Sequence, residues 1–134
     1  MLFRSLKHFD KRLASRISWA KRYQADLKKL NVNVILPPDG YTENGYCNVT
    51  LFENSKRTAI ETILKEKGIG FGNIYPGAMS DQEGSKEFLQ KKFSTGIATR
   101  ISSTVLNFPL FPYMREEEYA EIHSIIANFQ SGKN

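Results

Sequence analysis

The sequence predicts a small α/β domain, in which helices pack on an antiparallel or mixed sheet of about three strands. Apolar residues recur every three or four positions near both ends of the chain, as they do in amphipathic helices. Between these segments lie short stretches rich in β-branched and aromatic residues, which favour strands. With 134 residues the chain has room for one domain with a modest core.

The first helix is predicted over residues 1–30. Its apolar stripe begins at Leu2, ends at Leu30 and contains Tyr23 and Leu27. Nine basic residues against two acidic ones give this segment a charge of +7, whereas residues 31–134 carry −2. The basic face fits a solvated surface, an acidic surface outside this chain, or a nucleic-acid partner. Helices of this length often connect two bodies or rest on another domain.

The body of the domain is predicted over residues 31–130. A short extended piece at 32–35 leads into turn-rich chain, and residues 46–52 form a strand. The Asn54-Ser55 pair is a helix cap, and the helix continues to about Lys67.

The stretch EKGIGFGNIYP, residues 66–76, has the glycine content of a phosphate-binding loop. Such a loop follows a strand and opens a helix, whereas Gly68 follows a helix. The dinucleotide pattern also fails, because position 73 is Asn rather than Gly. We therefore expect Gly68 to end the helix in a left-handed conformation, and residues 69–75 to form a strand that two further glycines weaken.

The second half of the body alternates loops and helices. Residues 77–96 are expected to be a mobile excursion with a short polar helix, and residues 98–105 a helical turn or two. Prolines make residues 107–112 extended. The last helix runs over residues 116–129, followed by a frayed tail at 131–134.

Residue chemistry alone gives no complete active site. His8, Cys47 and His123 lack the paired spacing of metal ligands, and the chain has no Gly-x-Ser-x-Gly elbow. Nothing near Cys47 in the sequence lowers its pKa, so a buried inert thiol is favoured over a nucleophile. The sequence predicts neither a membrane span nor a signal peptide, and a single cysteine fits a reducing cytoplasm.

Three stretches together resemble the C-terminal domain of the DegT/DnrJ/StrS family of PLP-dependent nucleotide-sugar aminotransferases, which have the aspartate-aminotransferase fold (fold type I). KEKGIGFGNIYP (65–76) is similar to the family's helix end of Lys-Gly-Ile-Gly type, followed by Tyr-Pro. ISSTVLNFPLFPYMREEEYAEIHSII (101–126) is similar to its Val-Leu-x-Leu-Pro-Leu-x-Pro stretch and closing helix. RLASRISWAKRYQADLKKL (12–30) resembles its Arg-rich helix. The resemblance covers nearly all of the chain.

The resemblance implies that Asn73 and Tyr75 line a sugar pocket. The alternative is that Tyr75-Pro76 only ends a strand. Two positions depart from the family pattern: Ile74 stands where many members carry a His near the substrate, and Arg115 replaces the usual Thr at a helix start, which weakens the cap.

In this family the lysine that forms the PLP imine lies in a preceding large domain, and no lysine here matches its motif. The resemblance therefore implies that residues 1–134 are a single C-terminal domain without the large PLP-binding domain. Its parts are an inter-domain helix (1–30), an α/β body (31–130) and a tail (131–134). PLP is implied for the full-length enzyme, with no cofactor bound by this chain alone. The implied partners are a large PLP-binding domain or subunit and a nucleotide-sugar substrate, and a homodimer is compatible.

Three functions stay open. The first is a C-terminal domain or fragment of a PLP-dependent aminotransferase that acts on a nucleotide-linked keto-sugar, with glutamate as amino donor, and that is not catalytic alone. The second is a stand-alone, non-catalytic binding module or remnant. The third is a basic nucleic-acid-binding domain that uses residues such as Arg12, Arg16, Lys21 and Arg22, with affinity that falls steeply with salt.

Overall fold

The computed structural model describes residues 6–73, 77–90 and 96–132, and it confirms the predicted α/β class. Four helices, three strands and two short 3-10 helices follow one another over this part of the chain. In chain order they are α1 (Phe9–Lys29), β1 (Asn33–Val34), β2 (Thr50–Leu51), α2 (Asn54–Glu66), the 3-10 helices Met79–Asp81 and Glu83–Phe88, α3 (Gly96–Thr104), β3 (Val105–Leu106) and α4 (Glu116–Gln130). None of the helices in these ranges has the length and apolar character needed to cross a membrane.

The three strands form an antiparallel sheet in the order β1-β2-β3. Next to the β2–β3 pair, a side chain takes over the hydrogen bonding between the two segments. Asn48 is buried, its Nδ2 donates to the carbonyl of Phe108 at 3.2 Å, and its Oδ1 accepts from the Phe108 N–H at 2.8 Å. A strand therefore lies within the predicted range 46–52, but its regular backbone pairing is limited to Thr50 and Leu51.

The third strand is not the predicted one. Within the described part of the predicted strand 69–75, a single bridge joins Gly72 to Asn107, with N–O distances of 3.0 and 2.9 Å. Residues 74–76 lie outside the described residues. Val105 and Leu106 form β3 instead, directly after α3, although Val105 was expected to end a helix. Both of these side chains are buried, whereas glycines give an edge segment little to pack.

One hydrophobic core joins the helices to the sheet. Each of α1, α2 and α4 contributes residues spaced three or four apart, as the sequence period predicts. The fully buried members are Tyr23 and Leu27 of α1, Ile60 and Leu64 of α2, Leu106 of β3 and Ile126 of α4. Helix burial thus follows the apolar period in all three helices.

Only the C-terminal half of α1 enters this core. Ala20, Tyr23 and Leu27 are buried, whereas Leu6 and Phe9, which belong to the same predicted stripe, are 60% and 54% exposed. The predicted helix began at residue 1, and residues 1–5 lie outside the described part. The exposed end of the stripe is an apolar surface that this body does not cover.

Two loops hold the first half of α1. Arg16 Nε donates to the carbonyl of Gly45 at 2.9 Å, and its guanidinium also donates to the carbonyl of Tyr46. The Tyr113 N–H donates to Ser15 Oγ at 2.9 Å. Gly45 has a φ of +62°, and a Cβ added there would lie 2.8 Å from backbone atoms of Arg16, so this contact requires glycine.

The helix ends agree with the sequence at two places and differ at one. Gly68 has a φ of +67°, which confirms the predicted left-handed end of α2. Asn54, expected as the cap, is the first residue of α2, and Glu53 occupies the cap position without a side-chain hydrogen bond. At α4 Arg115 occupies the cap position without a side-chain cap hydrogen bond, as expected where arginine replaces threonine, although its N–H donates to the Glu118 carboxylate at 2.8 Å.

Candidate functional site

A cavity of about 740 Å³ lies beside the bridge between Gly72 and Asn107. This volume is within the range of small-molecule sites. Its walls come from three loop or strand-end segments and from the first turns of α4. They are residues 46–47, 68–73 and 107–111, with Glu118, Glu121 and Ile122. We call it the Asn107 cavity.

The walls of the Asn107 cavity are mainly apolar and aromatic. Phe71 and Phe108 line it together with Ile69, and Phe108 is buried. Tyr46 and Phe111 also line it and are 64% and 40% exposed. The cavity therefore offers flat apolar surfaces both inside and at its opening.

The charged groups at the cavity already have partners. Glu118 pairs with Arg115 at 3.0 Å, and Glu121 pairs with Lys67 at 3.2 Å. Hydrogen bonds from Arg115 lower the pKa of the Glu118 carboxyl, so it stays ionised at neutral pH. No lysine or arginine is among the described residues that line the cavity. Proton transfer by a carboxylic acid and binding of an anion are thus both disfavoured there.

Asn107 is a buried polar residue in the lining of the cavity. It is 8% exposed, and its Oδ1 has no hydrogen-bond partner in the described part of the chain. An asparagine beside a proline-rich stretch suggests only a loop, so the local sequence does not mark Asn107 as a buried residue. The available signal was its position between Leu106 and Phe108, in an otherwise apolar run.

Of the two sequence-predicted sugar contacts, the structure describes one. Asn73 lines the edge of the cavity, is half-buried, and donates from Nδ2 to the carbonyl of Ser102 at 2.9 Å. This bond connects the cavity wall to α3. Tyr75 and Ile74 lie outside the described residues, so a sugar-binding role for Asn73 and Tyr75 stays a prediction.

Cys47 lines the cavity as a half-buried thiol. Burial and, secondarily, the nearby charge of Glu43 raise the pKa of the Cys47 thiol. A thiol with a raised pKa is protonated at neutral pH and is a poor nucleophile. Among the described residues, no group of three or more His, Cys, Asp or Glu side chains is placed to hold a metal ion.

The cavity lining does not fit PLP. This cofactor needs a lysine amine for its imine and cationic or N–H donors for its phosphate. The described lining contains neither lysine nor arginine, and its two carboxylates already occupy the nearby cations Arg115 and Lys67. The residues described in this chain therefore do not form a PLP site in the cavity.

The basic face of α1 is partly engaged within the chain. Arg16 holds the loop at Gly45, and Arg22 pairs with Glu116 while its guanidinium lies 4.3 Å from the ring centroid of Tyr119. Two of the residues named for nucleic-acid binding thus already have intrachain partners, which weakens that hypothesis.

Comparison with known proteins places the fold. The sequence model of the DegT/DnrJ/EryC1/StrS aminotransferase family matches residues 1–127. A DegT DnrJ EryC1 StrS aminotransferase from Brucella abortus has a TM-score of 0.81 at 23% identity, covering 96% of this chain and 34% of that one. PseC from Helicobacter pylori, an aminotransferase involved in the biosynthesis of pseudoaminic acid, has a TM-score of 0.80 at 13% identity, covering 97% and 36%. NtdA from Bacillus subtilis, solved with the bound cofactor PMP, has a TM-score of 0.71 at 19% identity, covering 90% and 28%.

The comparisons agree on the fold and on the extent of the match. No curated protein matches the chain. At identities below 25% the solved structures show a shared fold, and the chain spans about a third of their length. The family model, by contrast, matches almost the whole chain. The chain therefore belongs to the DegT/DnrJ/EryC1/StrS aminotransferase family.

Proposed function

We propose that this chain acts as the C-terminal domain of a PLP-dependent aminotransferase that transfers an amino group from glutamate to a nucleotide-linked keto-sugar, and that it is not catalytic alone. The observation that carries the proposal is the family match over residues 1–127, in a chain that spans about a third of its structural relatives. The PMP bound in one relative supports the cofactor, and the description of another, CalS13 from Micromonospora echinospora, as a sugar aminotransferase supports the substrate class.

In this proposal PLP is held by a large domain or subunit. The absence of a lysine or arginine from the described lining of the Asn107 cavity supports this assignment. A transaminase needs an amine that forms an imine with PLP and moves protons, and that amine would come from the partner. The chain itself would supply one wall of the substrate site, including Asn73 and Tyr75.

The exposed end of α1 supports such a partner. Leu6 and Phe9 are largely exposed, and the flanking Lys7 and Lys11 are exposed too. Apolar side chains that follow a helical stripe and remain uncovered indicate a contact surface. We assign this surface to the large domain, with residues 1–30 as the inter-domain helix of a single domain that also comprises the body (31–130) and the tail (131–134). The assembled enzyme would be cytoplasmic, and homodimer formation is compatible with it.

The test begins with the DNA upstream of the Met1 codon in the source. If it encodes a PLP-lysine domain, that domain is produced as a separate polypeptide and mixed with this chain. We expect the mixture, but not this chain alone, to show the visible absorption of a PLP imine and to transfer amino groups from glutamate. Borohydride reduction followed by mass spectrometry should then place the pyridoxyl group on a lysine of the partner.

Two outcomes would contradict the proposal. One is a pyridoxyl group fixed on a single lysine of this chain at one per molecule. The other is a folded mixture without a PLP response, which would favour a non-catalytic binding module. RNA or DNA affinity that falls steeply between low and high salt would instead support the nucleic-acid hypothesis.

A further inference from the structure

The end of α3 is held by polar groups rather than by the hydrophobic core. None of the nine residues of α3, all of which the structure describes, is buried. The last carbonyls of a helix lack partners within the helix and carry a partial negative charge. The last turn of α3 contains no basic residue that could meet this charge. The partners of these carbonyls therefore come from other elements.

Two side chains from outside α3 donate hydrogen bonds to its last turn. Arg57 of α2 donates from Nη1 to the carbonyl of Ser102 at 3.2 Å and to that of Ser103 at 2.8 Å. Asn73 donates from Nδ2 to the same Ser102 carbonyl at 2.9 Å. We call these three bonds the α3 clamp. Through it, one carbonyl connects α2, α3 and the segment that contains Asn73.

The guanidinium of Arg57 is itself fixed in place. Its Nε donates to the carboxylate of Glu61 at 2.8 Å, one turn further along α2, and each of these two side chains is only 20% exposed. Their attraction is stronger than that of an ion pair in open water, because less water separates the charges. Hydrogen bonds from a charged donor are also stronger than those between neutral groups. The planar fork of Arg57 thus holds Glu61 and two carbonyls at once, which the single nitrogen of a lysine does not do equally well.

The α3 clamp acts on one wall of the Asn107 cavity, the lining segment 68–73. The first part of this wall packs apolar side chains against the core. Gly72 has no side chain to pack, and a single bridge joins it to Asn107. The next residue, Asn73, is bound to Ser102, which precedes Asn107 by five positions in the chain. The bridge and the clamp therefore join the same two segments of the chain at neighbouring points.

We propose that Arg57 is a positioning residue for the Asn107 cavity. Arg57 lies outside the cavity lining, holds the end of α3, and through the Ser102 carbonyl fixes Asn73 and the end of the 68–73 wall. The Nδ2 group of Asn73 belongs to the clamp, so Asn73 shapes the cavity by its position. The inference goes beyond the proposed function, because it concerns the geometry of this chain by itself.

The direct test is ¹⁵N relaxation of the full-length chain, measured by NMR on the picosecond-to-nanosecond timescale. The backbone N–H groups of Gly72 and Asn73 report on the wall, and that of Ile126, a fully buried residue of α4, is the internal reference. All three should have order parameters near about 0.85 in the parent, the value of rigid backbone. Arg57→Met removes every donor of the guanidinium and keeps an unbranched side chain. We expect it to lower the order parameters of Gly72 and Asn73 to below about 0.6 and to leave that of Ile126 unchanged.

Two further variants make the test specific. Arg57→Lys keeps the positive charge but has one nitrogen in place of the fork, so its order parameters at Gly72 and Asn73 should be intermediate. Arg100→Met is the matched control. Arg100 is exposed on α3, and its side chain has no hydrogen bond or ion pair within the described part of the chain. This variant should leave the order parameters of the wall at the parent value.

Several results would overturn the inference. If Arg57→Met lowers the melting temperature but leaves the order parameters of Gly72 and Asn73 unchanged, Arg57 only stabilises the fold. An equal fall in Arg100→Met, or a fall that includes Ile126, would also be contrary. If Arg57→Met does not fold, Arg57→Lys carries the test, and parent-like order parameters in that variant would refute the positioning role.

The measurement needs neither PLP nor a partner. Its failure therefore leaves the proposed function standing, and failure of the reconstituted aminotransferase leaves the relaxation result unaffected.

Discussion

The contact between Gly45 and α1 makes a quantitative prediction for Gly45→Ala. An alanine in the left-handed region costs about 1–2 kcal/mol. At Gly45 the new Cβ would also lie 2.8 Å from the backbone carbon of Arg16 and 2.8 Å from the backbone nitrogen of Ile17. Backbone atoms within one helix cannot rotate away, so the loop must move, and overpacking of this kind costs about 1–3 kcal/mol. We therefore expect Gly45→Ala to lower the free energy of unfolding by about 2–5 kcal/mol.

Gly40→Ala is the matched control for this prediction. Gly40 also has a positive φ, +84°, but a Cβ there would meet no atom of the described residues within 4 Å. Its loss should be limited to the backbone term of about 1–2 kcal/mol, offset in part by the lower entropy of the unfolded chain. Urea unfolding, followed by the fluorescence of Trp19, measures both variants. Losses that agree within about 0.5 kcal/mol would show that steric contact with α1 does not account for the glycine at position 45.

Two further predictions concern polar groups. Asn48→Ala should lower the free energy of unfolding by about 2–4 kcal/mol in the same urea assay, because it leaves the buried N–H and C=O of Phe108 without hydrogen-bond partners. A loss under about 1 kcal/mol would mean that water replaces the Asn48 amide. Hydrogen bonds from Lys29 and then Tyr119 lower the pKa of Asp26, so its stabilisation is full above the unfolded value of about 3.9 and is lost as the pH falls through the lower, folded value. Asp26→Asn should thus be less stable than the parent by about 1 kcal/mol at pH 7, with a difference that narrows towards pH 3. A difference that does not change with pH would contradict this reasoning.

The parts of the fold that the sequence predicts well are the helices with one buried face. Tyr23, Ile60 and Ile126 are buried where the apolar period places them, since in a long helix the period itself encodes which side faces the core. The exposed start of α1 marks the limit of this argument. The stripe predicts that Phe9 contacts something, but a period does not say whether the contact lies in the same chain.

The strands and the site depend on information that the local sequence lacks. Each strand pairs over two residues, which is too short to show an alternating pattern, so the local sequence does not reveal that Val105 and Leu106 pair with Thr50 and Leu51. Asn73 and Tyr75 are sugar contacts only by family resemblance, and that role stays a prediction. The local sequence does not predict the state of Asn107, because burial of its Oδ1 without a hydrogen-bond partner is a property that exists only after the chain has folded.

The two loops that hold the first half of α1 also lead directly into the lining of the Asn107 cavity. Gly45, bound to Arg16, directly precedes the lining residues 46–47, and Tyr113, bound to Ser15, lies two residues after the lining segment 107–111. Ser15 and Arg16, adjacent residues of α1, thus hold the two loops that lead into lining segments 46–47 and 107–111. A tilt of this half of α1 would move both lining segments. A contact made at the exposed start of the helix is thus mechanically linked to the width of the cavity. By reciprocity, any occupant that prefers one width would in turn favour one position of the helix.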